Sequence, residues 1–315
     1  MTTYAARATQ TLSARRPEDV LATVPLVLGF VPEESVVMLT FGAEHPFHAR
    51  LDLPLTSRQR RDVAGALFGP AERHGVRRVL FVLYTGQAGP ARSCARTLVR
   101  TFTGGGIDVV DVLRSDGHRW FVVPLDDHPA REGPGVPYDV SGHVFTARSV
   151  ASGRVTLSSR AELAATVAAD GSATSAVAEA VLASPFADSA DEGTWVRATV
   201  GRWAAGLGPP DPATTRRLLV ALRDAEIRDA VLAAVDREGA ERQLSAWSAL
   251  VRSAPADLVA PAASVLAFLA WLAGHGALAW CALERAADGD PPCSLAEPVA
   301  RALEQALPPV LWEQR

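Results

Sequence analysis

Strand-forming sequence stops well before the middle of this chain. Strand-like runs bounded by turn residues, such as Val36–Phe41, Phe47–Leu53 and Arg78–Tyr84, all lie before Pro124. From His143 onward only helical periodicity recurs. A chain divided in this way cannot interleave its strands and helices throughout. It must build a sheet-containing domain first and then pack helix on helix.

The first part is organised around Pro25-Leu-Val-Leu-Gly-Phe-Val-Pro-Glu-Glu-Ser-Val-Val-Met-Leu39. Pro17-Glu18-Asp19 supplies a helix start, because proline suits the first helical position and acids complement the positive helix end. Pro25 either kinks that helix or opens a second short turn, and Gly29 is a stop. Val36–Phe41 then reads as a buried strand. Phe47–Leu53 follows as a half-exposed one, with Phe47, Ala49, Leu51 and Leu53 on one side. Thr56-Ser57 caps a helix to about His74. Arg78–Tyr84 is almost wholly apolar, the mark of a strand covered on both faces. A helix to about Phe102 and a strand over Ile107–Leu113 come next, and Asp116-Gly117 turns the chain into His118–Val123. Residues 124–142 are dense in Pro and Gly, and no regular element is expected there.

In the second part Ser158, Ser159 and Glu162 form a capping-box start. Helical periodicity runs over 172–183, 191–206, 212–222, 224–252, 257–273, 276–287 and 294–306. Trp271–Ala286 reads as one helical hairpin without a second copy at a fixed period. Trp195, Trp203, Trp247, Trp271 and Trp280 fall at helical spacing and read as core or inter-helix anchors. The expected fold is an α+β or α/β domain followed by an all-α helical domain, the first a mixed sheet of about five or six strands with covering helices. The expected organisation is a flexible arm over 1–14, the α/β domain over 15–125, a Pro/Gly-rich connection with a short helix over 126–157, and the helical domain over 158–315.

Composition is that of an ordinary globular protein, 48% hydrophobic and 21% charged over 315 residues with a net charge of −4. The charge is unevenly spread. Residues 1–125 carry 15 Arg against 11 acids, a balance of +4, leaving 16 Arg against 24 acids, −8, in the remainder. Contact between the halves, or a mildly anion-attracting first half, would follow from that split. Every basic side chain is Arg; there is no lysine. Cys94, Cys281 and Cys293 are odd in number and lack metal-ligand spacing, which points to reduced thiols and a cytoplasmic protein. No secretory leader is legible, and Leu258–Leu283 is broken by Pro261, His275 and two glycines, so no membrane span is expected.

Four blocks carry a resemblance. They are Pro17-Glu-Asp-Val-Leu-Ala-Thr-Val-Pro25 running into Leu28-Gly-Phe-Val-Pro-Glu-Glu-Ser-Val-Val37, then Asp116-Gly-His-Arg-Trp120, then Glu132-Gly-Pro-Gly-Val-Pro-Tyr138 with Gly153–Leu163, and Gly274-His-Gly-Ala-Leu-Ala279. Together they resemble an actinobacterial family of unknown function marked by an N-terminal Pro-x-x-Leu-Gly-Phe-x-Pro-x-x-Ser block. Members carry cysteines after the Arg-Trp strand. This chain has Val123-Pro-Leu-Asp-Asp-His128 there, so a metal site does not carry over, and the family implies no activity.

Candidate site residues are few. Glu33 and Glu34 are paired carboxylates suited to acid–base work, with Ser35 as a nucleophile. No Gly-x-Ser-x-Gly elbow surrounds Ser35, and turn hydrogen bonds account for all three residues as well. Gly86 and Gly89 sit between a strand and a helix, where free N–H groups hold anions, but the nucleotide-binding fingerprints fail. Arg92, Arg96 and Arg100 form one helical stripe whose mutual repulsion needs an offset: a neighbouring acidic surface, an anionic ligand, or simply solvent. Asp126, Asp127 and His128, with His118 and Asp139, contain metal-binding side chains, but adjacent residues rarely converge on one ion, so neither metal nor cofactor is assigned. Nucleic acid is disfavoured for want of a reader element and interleaved aromatics. The preferred reading is a non-enzymatic protein-interaction or regulatory module whose helical half presents a groove to a protein partner. The second is an enzyme or sensor of a small phosphate- or carboxylate-bearing ligand, held in a cleft of the α/β domain by Glu33, Glu34, Ser35, Gly86, Gly89, Arg92 and Arg96. Oligomeric state is not legible.

Overall fold

A computed structural model describes residues 16–124, 133–151, 155–180 and 189–313. The arm expected over 1–14 and the Asp126-Asp127-His128 cluster lie outside them. The chain divides into two compact units, Met1–Thr156 and Leu157–Arg315.

The first unit runs α1 (Pro17–Leu28), β1 (Ser35–Phe41), β2 (His48–Asp52), α2 (Ser57–Arg73), β3 (Arg78–Tyr84), α3 (Ala88–Gly104), β4 (Asp108–Ser115), β5 (Arg119–Val122), β6 (Val136–Pro137) and α4 (Val144–Ala151). Its strands form a single mixed sheet in the order β2-β1-β3-β4-β5-β6. Only β3 and β4 pair in parallel, and α3 is the crossover that a parallel pair requires.

Strand periodicity sorts the core into two layers. Val36, Met38, Val79, Phe81, Leu83 and Val112 point to the face covered by α2 and α3, where they meet Ala64, Leu67, Ala95, Leu98 and Phe102. Val37, Leu39, Leu80, Val82, Tyr84 and Leu113 point to the other face, against Val20, Leu21 and Val24 of α1. That two-sided burial is why β1 and β3 read as unbroken apolar runs. The helix α1 continues through Pro25 and stops at Gly29, whose φ of 81° is the left-handed geometry of a helix cap and whose N–H returns to Pro25 O at 2.8 Å. The expectation for 124–142 needs one correction. Val136 and Pro137 form a two-residue edge strand against Trp120 and Arg119. The partner is a distant hairpin strand, which local Pro/Gly density does not register, and an edge tolerates proline.

The second unit comprises α5 (Arg160–Ala165), α6 (Gly171–Glu179), α7 (Ser189–Ala204), α8 (Pro212–Ala221), α9 (Ala225–Ala233), α10 (Arg237–Arg252), α11 (Val259–Ala273), α12 (Gly276–Ala287), α13 (Ala296–Glu304) and α14 (Val310–Glu313). Side chains of Ser159, Asp170, Asp211, Asp224 and Asp236 accept backbone N–H groups at five of the helix starts. The cap at Asp236 divides the continuous periodicity of 224–252 into α9 and α10. At the centre lies α11, buried except at Trp271 and Ala273, as a helix apolar all round must be. It forms a hairpin with α12 through Gly274, φ 90°. Trp247 is fully buried and Trp271 donates to Leu307 O at 3.0 Å, whereas Trp280 on α12 is 36% exposed. A buried Glu192–Arg217 pair, bidentate at 2.8 and 2.6 Å, ties α7 to α8, and the guanidinium lies 4.1 Å over the Trp195 ring. Among the described residues no helix is long and apolar enough to cross a membrane.

Candidate functional site

In the first unit two of the sequence candidates, Glu34 and the Gly86–Gly89 turn, meet at the end of β3. Thr85 follows β3 directly, and its hydroxyl donates to the Glu34 carboxylate, 2.9 Å from each oxygen. The same hydroxyl oxygen accepts Gln87 N–H at 3.1 Å, at the head of α3. Glu34 is thereby fixed beside the Gly86–Gly89 turn. Its φ of 38° is unusual for a residue with a Cβ, and its carbonyl is held by Leu53 N–H at 2.8 Å. Arg114, buried on the α3 side of the sheet, donates to Thr85 O at 3.0 Å and stacks 3.8 Å from the Phe121 ring centroid.

This corner does not assemble the whole candidate set. Ser35 is fully buried, donates to Glu33 O at 2.5 Å and accepts Arg50 Nε at 2.8 Å. Its hydroxyl is committed to the turn and is not presented as a nucleophile. Glu33 is exposed and enters only through that carbonyl. Gly86 and Gly89 are exposed, with open space where a Cβ would stand, so no close approach requires glycine there. The Glu34 carboxylate reaches this turn through the Thr85 hydroxyl. Arg92 and Arg96 are half-buried along one flank of α3. The Nε atom of each is shielded from solvent and lacks a hydrogen-bond partner among the described residues.

The second unit contains a cleft of ≈ 610 Å³ whose lining residues the sequence did not single out. Ala173, Ala176 and Val177 of α6 form one wall, and Ser245, Ser248, Ala249 and Arg252 of α10 another. Trp203 and the Pro209-Pro210 turn with Pro212 and Thr215 of α8 close it, and Thr166 and Asp170 stand at its rim. The α6 wall is strapped at both ends. Asp170 N–H donates to Arg252 O at 2.8 Å, Thr174 Oγ1 donates to the same carbonyl at 3.2 Å, and the Arg252 guanidinium meets Asp170 at 3.4 Å. At the far end Arg216 donates to Val177 O at 3.3 Å and also to Ala178 O. The Ser172 hydroxyl and then Ala173 N–H hold the Asp170 carboxyl below the usual range, so the rim carries a fixed negative charge paired with Arg252. The lining is small, apolar and hydroxylated. It can cover apolar groups and satisfy backbone N–H and C=O groups together.

Over residues 17–310 the chain matches the family described as Domain of unknown function (DUF4192). It belongs to that family. No curated protein and no solved structure matches the chain. The blocks that carried the resemblance have architectural work in this fold. Glu18 accepts Trp120 Nε1–H at 2.9 Å, so the first block grips the Asp-Gly hairpin. His143 Nδ1 accepts Phe145 N–H at 3.2 Å, which leaves Nε2–H to donate to Asp19 at 3.1 Å and join α4 to α1. The Tyr138 hydroxyl shares a hydrogen bond with Ser115 at 2.7 Å, and a Cβ at Gly135 would come within 2.4 Å of the Phe121 ring.

Thr85 and the cleft were missed for the same reason. A lone threonine in a turn has no signature, and the cleft draws single Ser, Ala, Thr and Pro residues from positions between 166 and 253. Asp170 and Asp236, each followed three residues later by the N–H it accepts, were the available local signals.

Proposed function

We propose that this is a cytoplasmic protein-interaction module that takes a segment of a protein partner into the cleft of its helical unit. The cleft's shape and lining carry this reading. It is of ligand-binding size, its lining is mostly small and apolar, and Ser245 and Ser248 add hydroxyls that can partner a bound backbone. The cysteines support the location: all three are free thiols, with Cys94 and Cys281 buried. Burial pushes the Cys94 thiol up to about 12, with Arg60 acting weakly in the other direction, which makes it a poor nucleophile. The second reading, an enzyme or sensor of a small anion in the α/β unit, has the Glu34 carboxylate against it at the head of α3.

The test is a cleft-filling variant, Ala249→Trp, compared with wild type by quantitative co-purification of the full chain from its native host. Wild type is expected to hold a protein at fixed stoichiometry. Ala249→Trp loses it while its Tm stays within a few degrees, about the shift that 1 kcal/mol produces in a domain of this size. An unchanged set of bound proteins would overturn the proposal.

A further inference from the structure

We propose that the arginine flank of α3 is a second docking surface, for an extended acidic segment of a partner protein. Arg92, Arg96 and Arg100 rise along one helix four residues apart, about 6 Å per step. Alternate side chains of an extended chain recur every ~6.6–6.8 Å, so carboxylates at every second position fall into step with them. Each four-residue step also turns about 40° round the axis. The stripe accordingly passes from half-buried Arg92 and Arg96 to exposed Arg100.

Three observations point to a missing anionic partner. Side chains of like charge at this spacing repel. Arg92 Nε and Arg96 Nε are shielded donors without acceptors among the described residues, a costly condition for a charged group. The positions beside the stripe, Ser93 and Thr97, carry short side chains, Ser93 is exposed, and Thr97 Oγ1 is turned back to Ser93 O at 3.1 Å. Rotating either arginine outward would present Nε–H with one terminal N–H, the fork that a carboxylate accepts at two points. A nucleic acid fits less well, because one stripe of three cations falls short of the 6–10 phosphate contacts of a typical duplex binder and the one aromatic side chain of α3, Phe102, is buried. This surface is independent of the helical cleft.

The test uses the full chain and a fluorescein-labelled peptide alternating Glu with Ser, followed by anisotropy. A single-stranded oligonucleotide of equal charge serves as the competing class. Arg92→Gln/Arg96→Gln is expected to weaken peptide binding at least about tenfold, with Tm unchanged or raised because a repulsive pair has gone. Arg92→Lys/Arg96→Lys, which keeps the charge but loses the fork, should fall between. Arg58→Gln/Arg61→Gln, an exposed pair on α2 with the same charge loss, should change binding less than about twofold. Equal loss in both Gln variants, absence of peptide binding, or tighter binding of the oligonucleotide would each overturn the proposal.

Discussion

Tyr84 ends the central strand β3 with a hydroxyl that is shut off from solvent and lacks a hydrogen-bond partner among the described residues. Burial, and then Tyr138 nearby, hold its phenol well above the ordinary range. The fold therefore tolerates the neutral phenol and rejects phenolate. A folded pKa above the unfolded value of about 10 contributes stability that is present below pH ~10 and is lost as pH rises toward the folded pKa. Tyr84→Phe is accordingly expected to equal wild type at pH 7 or exceed it by about 1 kcal/mol, since a buried donor without a partner is removed. The variant should also lose less stability than wild type between pH 9 and 11. Urea unfolding at each pH measures both effects, and a clear loss of stability at pH 7 would show that the hydroxyl is bonded after all. Ser35 makes the opposite case. Its sequence context allowed a nucleophile or a turn hydroxyl, and only the fold reveals Arg50 Nε and Glu33 O as its partners.

Among the elements, α6 and α11 stand at opposite extremes. Val177 is the one buried side chain of α6, and the helix ends are tied by hydrogen bonds to Arg252 and from Arg216, whereas α11 is buried along nearly its whole length. A wall held by polar straps opens far below the global unfolding free energy. Hydrogen exchange should show α6 amides exchanging at least about a hundredfold faster than those of α11, and partner binding should slow α6 first. Equal protection of the two helices would contradict that reading. Much of the element plan was legible: Gly29 as the stop of α1, Thr56 as the cap of α2, the apolar run of β3 and the Asp116-Gly117 turn all act locally, within a few residues. What escaped was long-range or hidden by unbroken periodicity. The edge strand β6 depends on β5, the Ala233–Arg237 break is set by one aspartate cap, and exposed Trp280 shares its helical spacing with fully buried Trp247.

At the scale of the molecule, each compact unit has its own chemistry. The first closes a six-stranded sheet on both faces, and its motif residues hold strands and helices together. Glu34 and Thr85 meet at the end of β3, which puts a carboxylate beside the turn that leads into α3. The second unit surrounds α11 with helices and leaves a cleft of ≈ 610 Å³ between α6, α8 and α10. Its contributing residues are ordinary one by one, so the candidate site could be found only once five separated stretches had folded together. The most direct test of the account is site-specific photocrosslinking from position 248 inside the cleft, against position 242 on the exposed side of the same helix. Adducts from position 248 are expected to map to one short stretch of one partner protein and to vanish in Ala249→Trp. The same adducts from both positions, or none from position 248, would contradict this expectation.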